Sequence, residues 1–188
     1  MSKFSARNVG TQILIGFLVL VAIICYAGAA VVHDDTLVAW WIPALVSFVL
    51  AAASGLTMWR LWKRLTSSGK ILPNYICHVI FAGGIFLLAF YSLNYVLSRE
   101  STAREETAVV EKKFTKTRHH RQRVSRRVYR QGSPYKVYYF DLRFDNGKEK
   151  TVNVSSRRYN RTRSGSQITL NVETGFFGIP VIKDNLKN

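Results

Sequence analysis

The sequence predicts a membrane protein in two parts, three transmembrane helices followed by a small all-β domain. Three apolar stretches, at about 12–32, 37–59 and 75–97, contain no Asp, Glu, Lys or Arg. Each has the roughly 20 helical residues that are needed to cross a hydrocarbon core about 30 Å thick. Residues 99–188 are polar and basic, and they show the period-two alternation of β-strands. We therefore expect a helical domain over 1–98 and a soluble domain after it.

The apolar stretches are expected to be helices because lipid offers the backbone no hydrogen-bond partner, whereas a helix pairs its own polar groups. Both cysteines, Cys25 and Cys77, lie in these stretches, so disulfides play no part in the soluble domain. At about 90 residues, that domain is long enough for one small hydrophobic core.

Small residues recur on the second stretch at Ser47, Ala51 and Gly55, four positions apart. Small residues at this spacing allow a neighbouring helix to approach closely. The neighbour could be a second copy of the chain, which would make this a dimer face, or another helix of the same chain. The intramolecular contact is the favoured interpretation.

Aromatic residues mark the predicted ends of the stretches: Trp40, Trp41, Trp59, Trp62, Tyr75 and Tyr95. Amphipathic rings are typical of the headgroup level, where we expect them to anchor the helices. His78 and Asn94 lie near opposite ends of the third stretch, and their side chains are expected to reach the headgroups. No acid or base occupies the middle of a stretch, so a conducting or proton-coupled function is not expected.

The basic residues of the short connections predict the orientation. The connection before Leu37 has no Lys or Arg, whereas the next one carries four: Arg60, Lys63, Arg64 and Lys70. Lys and Arg in short loops mark the cytoplasmic side. Lys3 and Arg7 place the N-terminus on that same side. Three spans then put the C-terminal domain outside, at the bacterial inner membrane.

Five short strands are predicted in the soluble domain, at 108–114, 138–144, 151–154, 167–172 and 179–182, with one or two helical turns at 155–163. The alternation is clearest at Tyr138, Phe140, Leu142 and Phe144, which should face a core. Asp145, Asn146 and Gly147 follow and predict a hairpin turn. The pattern favours a small five-stranded barrel or sandwich of the OB or SH3 kind.

The strongest polar signal is a run of nine cations without an acid: Lys112, Lys113, Lys116, Arg118, Arg121, Arg123, Arg126, Arg127 and Arg130. From Ser98 onward the chain has 21 Lys and Arg against 9 Asp and Glu, so this part carries +12 of the total +16. Self-repulsion predicts a mobile arm at 112–134, as an extended excursion or a protruding hairpin. The arm is either a solvated loop or a binding site for a polyanion.

A second basic patch surrounds Tyr159 and consists of Arg157, Arg158, Arg161 and Arg163. It could continue the first patch across the domain surface. Aromatic and Arg residues together can stack nucleic-acid bases, but a single Tyr is more typical of the core beneath a helical turn.

Catalytic chemistry is not indicated. The chain lacks nucleophile motifs, paired catalytic carboxylates, phosphate-binding glycine loops and metal-ligand clusters. The adjacent His119 and His120 have diverging side chains, so they alone cannot form a metal site. We expect no enzymatic activity, no cofactor and no metal.

The sequences Tyr159-Asn160-Arg161 and 175–182 (GFFGIPVI), with Gly165 between them, resemble the small β-modules that end many bacterial membrane proteins of unknown function, often from Bacteroidetes. The resemblance covers about 103–183. The resemblance implies the β-fold of these modules. It does not imply a reaction, a cofactor or a catalytic residue.

These observations predict a non-enzymatic binding or assembly factor for an anionic partner, such as a lipid headgroup, a surface polymer or an acidic protein. One alternative is an accessory subunit of a membrane transport or secretion complex, with the β-domain as the docking piece. Another is a membrane-tethered nucleic-acid binder, which requires inverted topology. Expected partners are membrane lipids, an acidic protein or polymer, and a second copy or a larger membrane complex; nucleic acid is not expected in the predicted orientation.

Overall fold

A computed structural model describes residues 6–66, 69–125, 129–184 and 186. Its elements are α1 (Ala6–Asp34), α2 (Trp41–Thr66), α3 (Ile71–Val96), β1 (Arg99–Arg123), β2 (Tyr129–Phe144), β3 (Glu149–Val154), α4 (Ser156–Arg161), β4 (Gln167–Thr174) and β5 (Pro180–Ile182). The chain divides into two compact units. The helical unit combines Met1–Arg99 with Thr174–Val181, and the β-unit combines Glu100–Glu173 with Ile182–Asn188.

The predicted three long apolar helices are confirmed, and each is long and apolar enough to span a membrane. The second helix differs from its predicted bounds at both ends. Residues 37–40 precede it as a non-helical connection, and it continues to Thr66. The extension carries Lys63 and Arg64 in its last turn, where cations interact favourably with the helix dipole.

The small residues of α2 are buried within the chain. Ser47 and Ala51 are fully buried, and Gly55 lies against Tyr75 and His78 of α3, where an added Cβ would come within 2.7 Å of the Tyr75 ring. In the described part of the chain the Ser47 hydroxyl has no hydrogen-bond partner. The small size of these residues therefore allows α2 and α3 to pack closely.

Polar side chains connect α2 to α3 through His78. The Trp62 Nε1–H donates to His78 Nδ1 at 2.9 Å, and Ser54 Oγ lies 2.9 Å from His78 Nε2. Because an indole can only donate, we infer the neutral tautomer that carries its proton on Nε2 and donates to Ser54. Both side chains are buried in the helical unit, and their position at the headgroup level stays a prediction.

Further side-chain hydrogen bonds join the helices. The Tyr75 hydroxyl donates to the Ala52 carbonyl at 2.9 Å, and the Tyr26 hydroxyl donates to the Ile80 carbonyl at 2.8 Å. The central helix α3 is thus bonded to both of its neighbours. Groups that would be costly to bury unpaired in lipid are satisfied inside the bundle.

Residues 174–181, which we call the strap segment, return to the helical unit. The fully buried Asn94 of α3 accepts a hydrogen bond from the Phe177 N–H through Oδ1 and donates to the Ile179 carbonyl through Nδ2, both at 3.1 Å. The Leu37 N–H donates to the Pro180 carbonyl at 2.9 Å. The Asn94 carboxamide thus binds the chain's own backbone, and its position at the headgroup level stays a prediction.

The five strands form one sheet in the order β3-β2-β1-β4-β5. The predicted inward positions are confirmed, since Phe140, Leu142 and Phe144 are buried and Tyr138 is half-buried. Other buried apolar residues of the β-unit are Ala108, Val110, Val152, Val154, Leu170, Val172, Ile182 and Leu186.

The sheet is open, so the predicted barrel or sandwich of the OB or SH3 kind is not confirmed. Closure would require the edge strands β3 and β5 to pair, but they lie at opposite ends of the order. Beyond β5, the Leu186 carbonyl accepts from the Ser155 N–H at 2.8 Å, and Asp184 lies 3.5 Å from Arg158. Asp184 and Leu186 therefore interact with the segment that follows β3. In a closed barrel, hydrogen bonds between strands β3 and β5 would be found there.

The hairpin predicted at Asp145–Gly147 is confirmed. Strands β2 and β3 pair antiparallel from Tyr138↔Val154 to Arg143↔Glu149. Gly147 has a φ of +76°, a conformation that favours glycine, and the Phe144 N–H donates to the Lys148 carbonyl at 2.9 Å.

We predict that Gly83→Leu destabilises the helical unit by about 1–3 kcal/mol through overpacking. A Cβ at Gly83 would lie 2.8 Å from Phe48 Cε1 and 3.3 Å from the Tyr26 hydroxyl. Near-UV circular dichroism during heating in detergent measures the effect. Gly16→Leu is the matched control, because nothing lies within 4 Å of its Cβ position. Equal midpoints for the two variants would contradict the packing assigned to Gly83.

Candidate polyanion-binding hairpin

The basic run lies in a long β-hairpin. Strand β1 has 25 residues, far more than the predicted 108–114. It pairs antiparallel with β2 from Ala108↔Phe144 to Arg123↔Tyr129. Residues 112–119 and 121–123 therefore pair with β2, and a second register shift lies between His119 and Arg121. Mobility of the arm at 112–134 stays a prediction.

A register shift between Val110 and Lys112 decides which residues face the core. Before it, Ala108 and Val110 are buried. The extra residue of a bulge reverses the alternation, so Lys113, paired with Phe140, takes the core-facing position and Phe114 faces outward.

Lys113 binds the helical turn α4. Its ammonium lies 4.3 Å from the centre of the Tyr159 ring and donates to the Thr162 carbonyl. Tyr159 in turn packs against Tyr138 and Phe140, with ring centres 4.9 and 5.8 Å apart. The packing interpretation of Tyr159 is thus confirmed, and Lys113 stabilises this layer.

The opposite face of the hairpin carries a row of rings and cations, which we call the aromatic–cationic ladder: Phe114, Lys116, Arg118, His120, Tyr135 and Tyr139. At its base, Phe114 and Tyr139 are directly paired and their rings stack at 5.2 Å. The Lys116 ammonium lies 5.6 Å from the Phe114 ring centre and 5.3 Å from that of Tyr139.

The ladder continues towards the tip of the hairpin. Arg118 is paired with Tyr135, and its guanidinium donates to the Tyr139 hydroxyl at 3.4 Å. The His120 ring lies 4.4 Å from that of Tyr135. Six residues of strand separate Phe114 from His120, so the ladder is about 20 Å long. Along β1, Lys116 and Arg118 lie between the rings of Phe114 and His120, and their contacts with these rings and with β2 restrict the side chains before any ligand binds.

Carboxylates offset the positive charge only at the base of the hairpin. There Glu111 forms an ion pair with Arg143, and Lys112 is paired with Asp141. Beyond that point, residues 113–140 contain nine Lys or Arg and no Asp or Glu. Arg121, Arg123 and Arg130 are exposed; Arg126 and Arg127 lie outside the described residues. Beyond its base, the hairpin therefore has a positive potential that no carboxylate of its own sequence reduces.

The second basic patch does not join the ladder. Helix α4 packs through Tyr159 against Tyr138 and Phe140, whereas Lys116 and Arg118 point to the opposite face. Arg157 and Arg161 are exposed, and Arg158 pairs with Asp184 at 3.5 Å. The structure thus gives two separate basic surfaces in place of the continuous one that the sequence suggested.

Sequence reasoning identified the cations of the ladder and missed its rings. The available signal was the alternation of Phe114, Lys116 and Arg118 on β1. The register between β1 and β2 decides that Tyr135 and Tyr139 lie beside these residues, and the bulge prevents this register from being predicted from the sequence.

We predict that Lys113→Met loosens α4 and that Lys116→Met does not. Each change removes one charge, but only Lys113 binds the Thr162 carbonyl and the Tyr159 ring. Amide hydrogen exchange at 156–163 in the full chain should become about five- to tenfold faster in Lys113→Met, the effect of losing a charged hydrogen bond at a half-exposed site. Equal exchange in both variants would contradict this structural role.

Comparison of the chain with protein-family models, with curated proteins and with solved structures finds no match. The chemistry of the chain's own residues is therefore the basis for its proposed function.

Proposed function

We propose that this protein is a multi-pass protein of the bacterial inner membrane whose extracytoplasmic β-domain binds an anionic polymer or surface without catalysing a reaction. The observation that carries the proposal is the aromatic–cationic ladder. It places Lys116 and Arg118 among stacked rings on a hairpin that has no acid between 113 and 140. Its role would be that of a binding or assembly factor.

An extended partner fits the ladder better than a small ion does. The cations are spread along about 20 Å of strand, so a chain of anionic groups or a layer of headgroups could contact several at once. Each Lys or Arg held near an anionic lipid surface contributes about 1 kcal/mol. Rings between the cations add apolar contact with sugar rings or acyl chains.

The proposed orientation comes from the distribution of cations around the helices. Arg60, Lys63 and Arg64 follow the apolar part of α2, whereas the connection from α1 to α2 has neither Lys nor Arg. Lys and Arg near the ends of spans favour the cytoplasmic side. The C-terminus of α3, and with it β1, then emerges on the other side.

A second candidate function is the binding of single-stranded nucleic acid at the cytoplasmic face, which requires the opposite orientation. The observation that favours it is the ladder itself, because exposed rings beside cations can stack bases and contact phosphates. C-terminal reporter fusions distinguish the two functions. Phosphatase activity, which needs an extracytoplasmic position, supports the first proposal, and fluorescence of a reporter that matures only inside the cell supports the second.

We predict that replacing Lys116, Arg118, Arg121 and Arg123 together by Gln weakens polyanion binding at least tenfold in low salt. Four cations near an anionic surface contribute up to about 4 kcal/mol. The full chain is placed in nanodiscs of neutral lipid, and binding of dextran sulfate, polyphosphate and phosphatidylglycerol vesicles is measured across a sodium chloride series. Wild-type binding should weaken as salt increases.

The matched control replaces Lys148, Arg157, Arg161 and Arg163 by Gln, which removes the same charge from exposed positions away from the ladder. Retention of binding in the control and loss in the ladder variant support the hairpin as the site. Equal losses would show that only net charge matters. Wild-type binding that does not depend on salt would remove the polyanion role.

A further inference from the structure

The tip of the strap segment, residues 175–178 with the sequence Gly-Phe-Phe-Gly, lies beside the body of α3. The Phe177 ring stacks on that of Phe90, with centres 4.6 Å apart and planes 5° from parallel. Phe90 precedes Val96, the last residue of α3, by six residues, or about 9 Å along the helix axis. Phe177 is therefore well inside the end of the helix.

The length of α3 relates this position to the membrane. Its 26 residues span about 39 Å, and the hydrocarbon core is about 30 Å thick. A centred helix extends about 4–5 Å beyond the core at each end, which places Phe90 about 4–5 Å inside it. The centre of the Phe177 ring is 4.6 Å from that of Phe90, so the Phe177 ring lies at the edge of the core or inside it.

Backbone at this depth is tolerated only if its polar groups are paired. All four N–H groups of 175–178 have acceptors. Gly175 donates to the Ile179 carbonyl at 3.0 Å, and Gly178 donates to the Gly175 carbonyl at 2.9 Å. Phe176 and Phe177 both donate to Asn94, to its carbonyl at 3.4 Å and to its side chain at 3.1 Å. The loop thus meets the donor requirement that lipid imposes.

The glycines are required by this arrangement. A Cβ at Gly175 would overlap the Asn94 carboxamide. Gly178 has a φ of +75°, which L-residues with a side chain rarely adopt. The conformation of the loop therefore allows Asn94 to form hydrogen bonds with the backbone of both Phe177 and Ile179.

The aromatic side chains of the tip are directed outward. Phe176 is 57% exposed and Phe177 is 44% exposed. Trp40 and Trp41, at the start of α2, are 69% and 55% exposed. They follow three and four residues after Leu37, whose N–H donates to the Pro180 carbonyl of the strap segment. Exposed rings thus cluster at this end of the helical unit, as in the aromatic belt of a membrane interface.

We propose that residues 175–178 enter the bilayer beside α3 and that Phe176 and Phe177 contact lipid acyl chains there. The partner is the lipid of the leaflet at the C-terminal end of α3. The membrane-embedded part of this protein then includes a segment that lies more than seventy residues after α3 in sequence.

Site-directed spin labelling of the full chain in liposomes tests the depth. In a Cys25→Ser, Cys77→Ser background, a nitroxide is attached to Phe176→Cys, to Leu50→Cys as the lipid-facing reference and to Lys148→Cys as the aqueous reference. All three native side chains are exposed. We expect the label at 176 to collide with oxygen more than with a water-soluble nickel chelate, as at 50. A collision profile like that at 148 would overturn the proposal.

A second measurement avoids the cysteine changes. Benzoylphenylalanine, which is aromatic and apolar like phenylalanine, replaces Phe176, Leu50 or Lys148 in separate samples, and illumination in liposomes is followed by mass spectrometry. Lipid adducts at 176 and 50, but not at the exposed position 148 outside the ladder, would support insertion. Adducts at 50 with none at 176 would refute it.

Discussion

The absence of hydrogen-bonding solvent in a bilayer is the constraint on which the helical unit depends. It explains why three long apolar stretches become helices, and also why the buried polar side chains of the described residues, apart from Ser47, are paired. His78 is held between Trp62 and Ser54, and Tyr26 donates to a carbonyl of α3. Such bonds contribute modestly to stability, but an unpaired group at the same place would be costly.

The same constraint applies to the segment 174–181, whose backbone is paired by the side chain of Asn94. Its carboxamide has one acceptor and one donor side, and it uses them on Phe177 and Ile179 as a neighbouring β-strand would. The segment 174–181 therefore belongs to the helical unit although it follows β4 in sequence. One buried amide side chain converts an exposed loop backbone into a paired one.

The β-unit is not subject to this constraint, because water can form hydrogen bonds with its exposed backbone groups. Its sheet is open, and its longest strand pair extends beyond the buried core as a hairpin. There the cations cannot bury their charge, so they lie over rings, as Lys116 does between Phe114 and Tyr139. Charge that would repel in an unstructured loop is thereby held on a defined surface.

Sequence alone determined the number of helices, the hairpin turn at Asp145–Gly147 and the inward set from Phe140 to Phe144, because length, composition and periodicity are local properties. Only the tertiary structure decided the partners of His78 and Asn94, the open sheet and the ring partners of the basic run. Each of these depends on which distant segment supplies a hydrogen-bond acceptor or a cross-strand neighbour. One bulged residue at the start of the basic run is enough to change which face its side chains occupy.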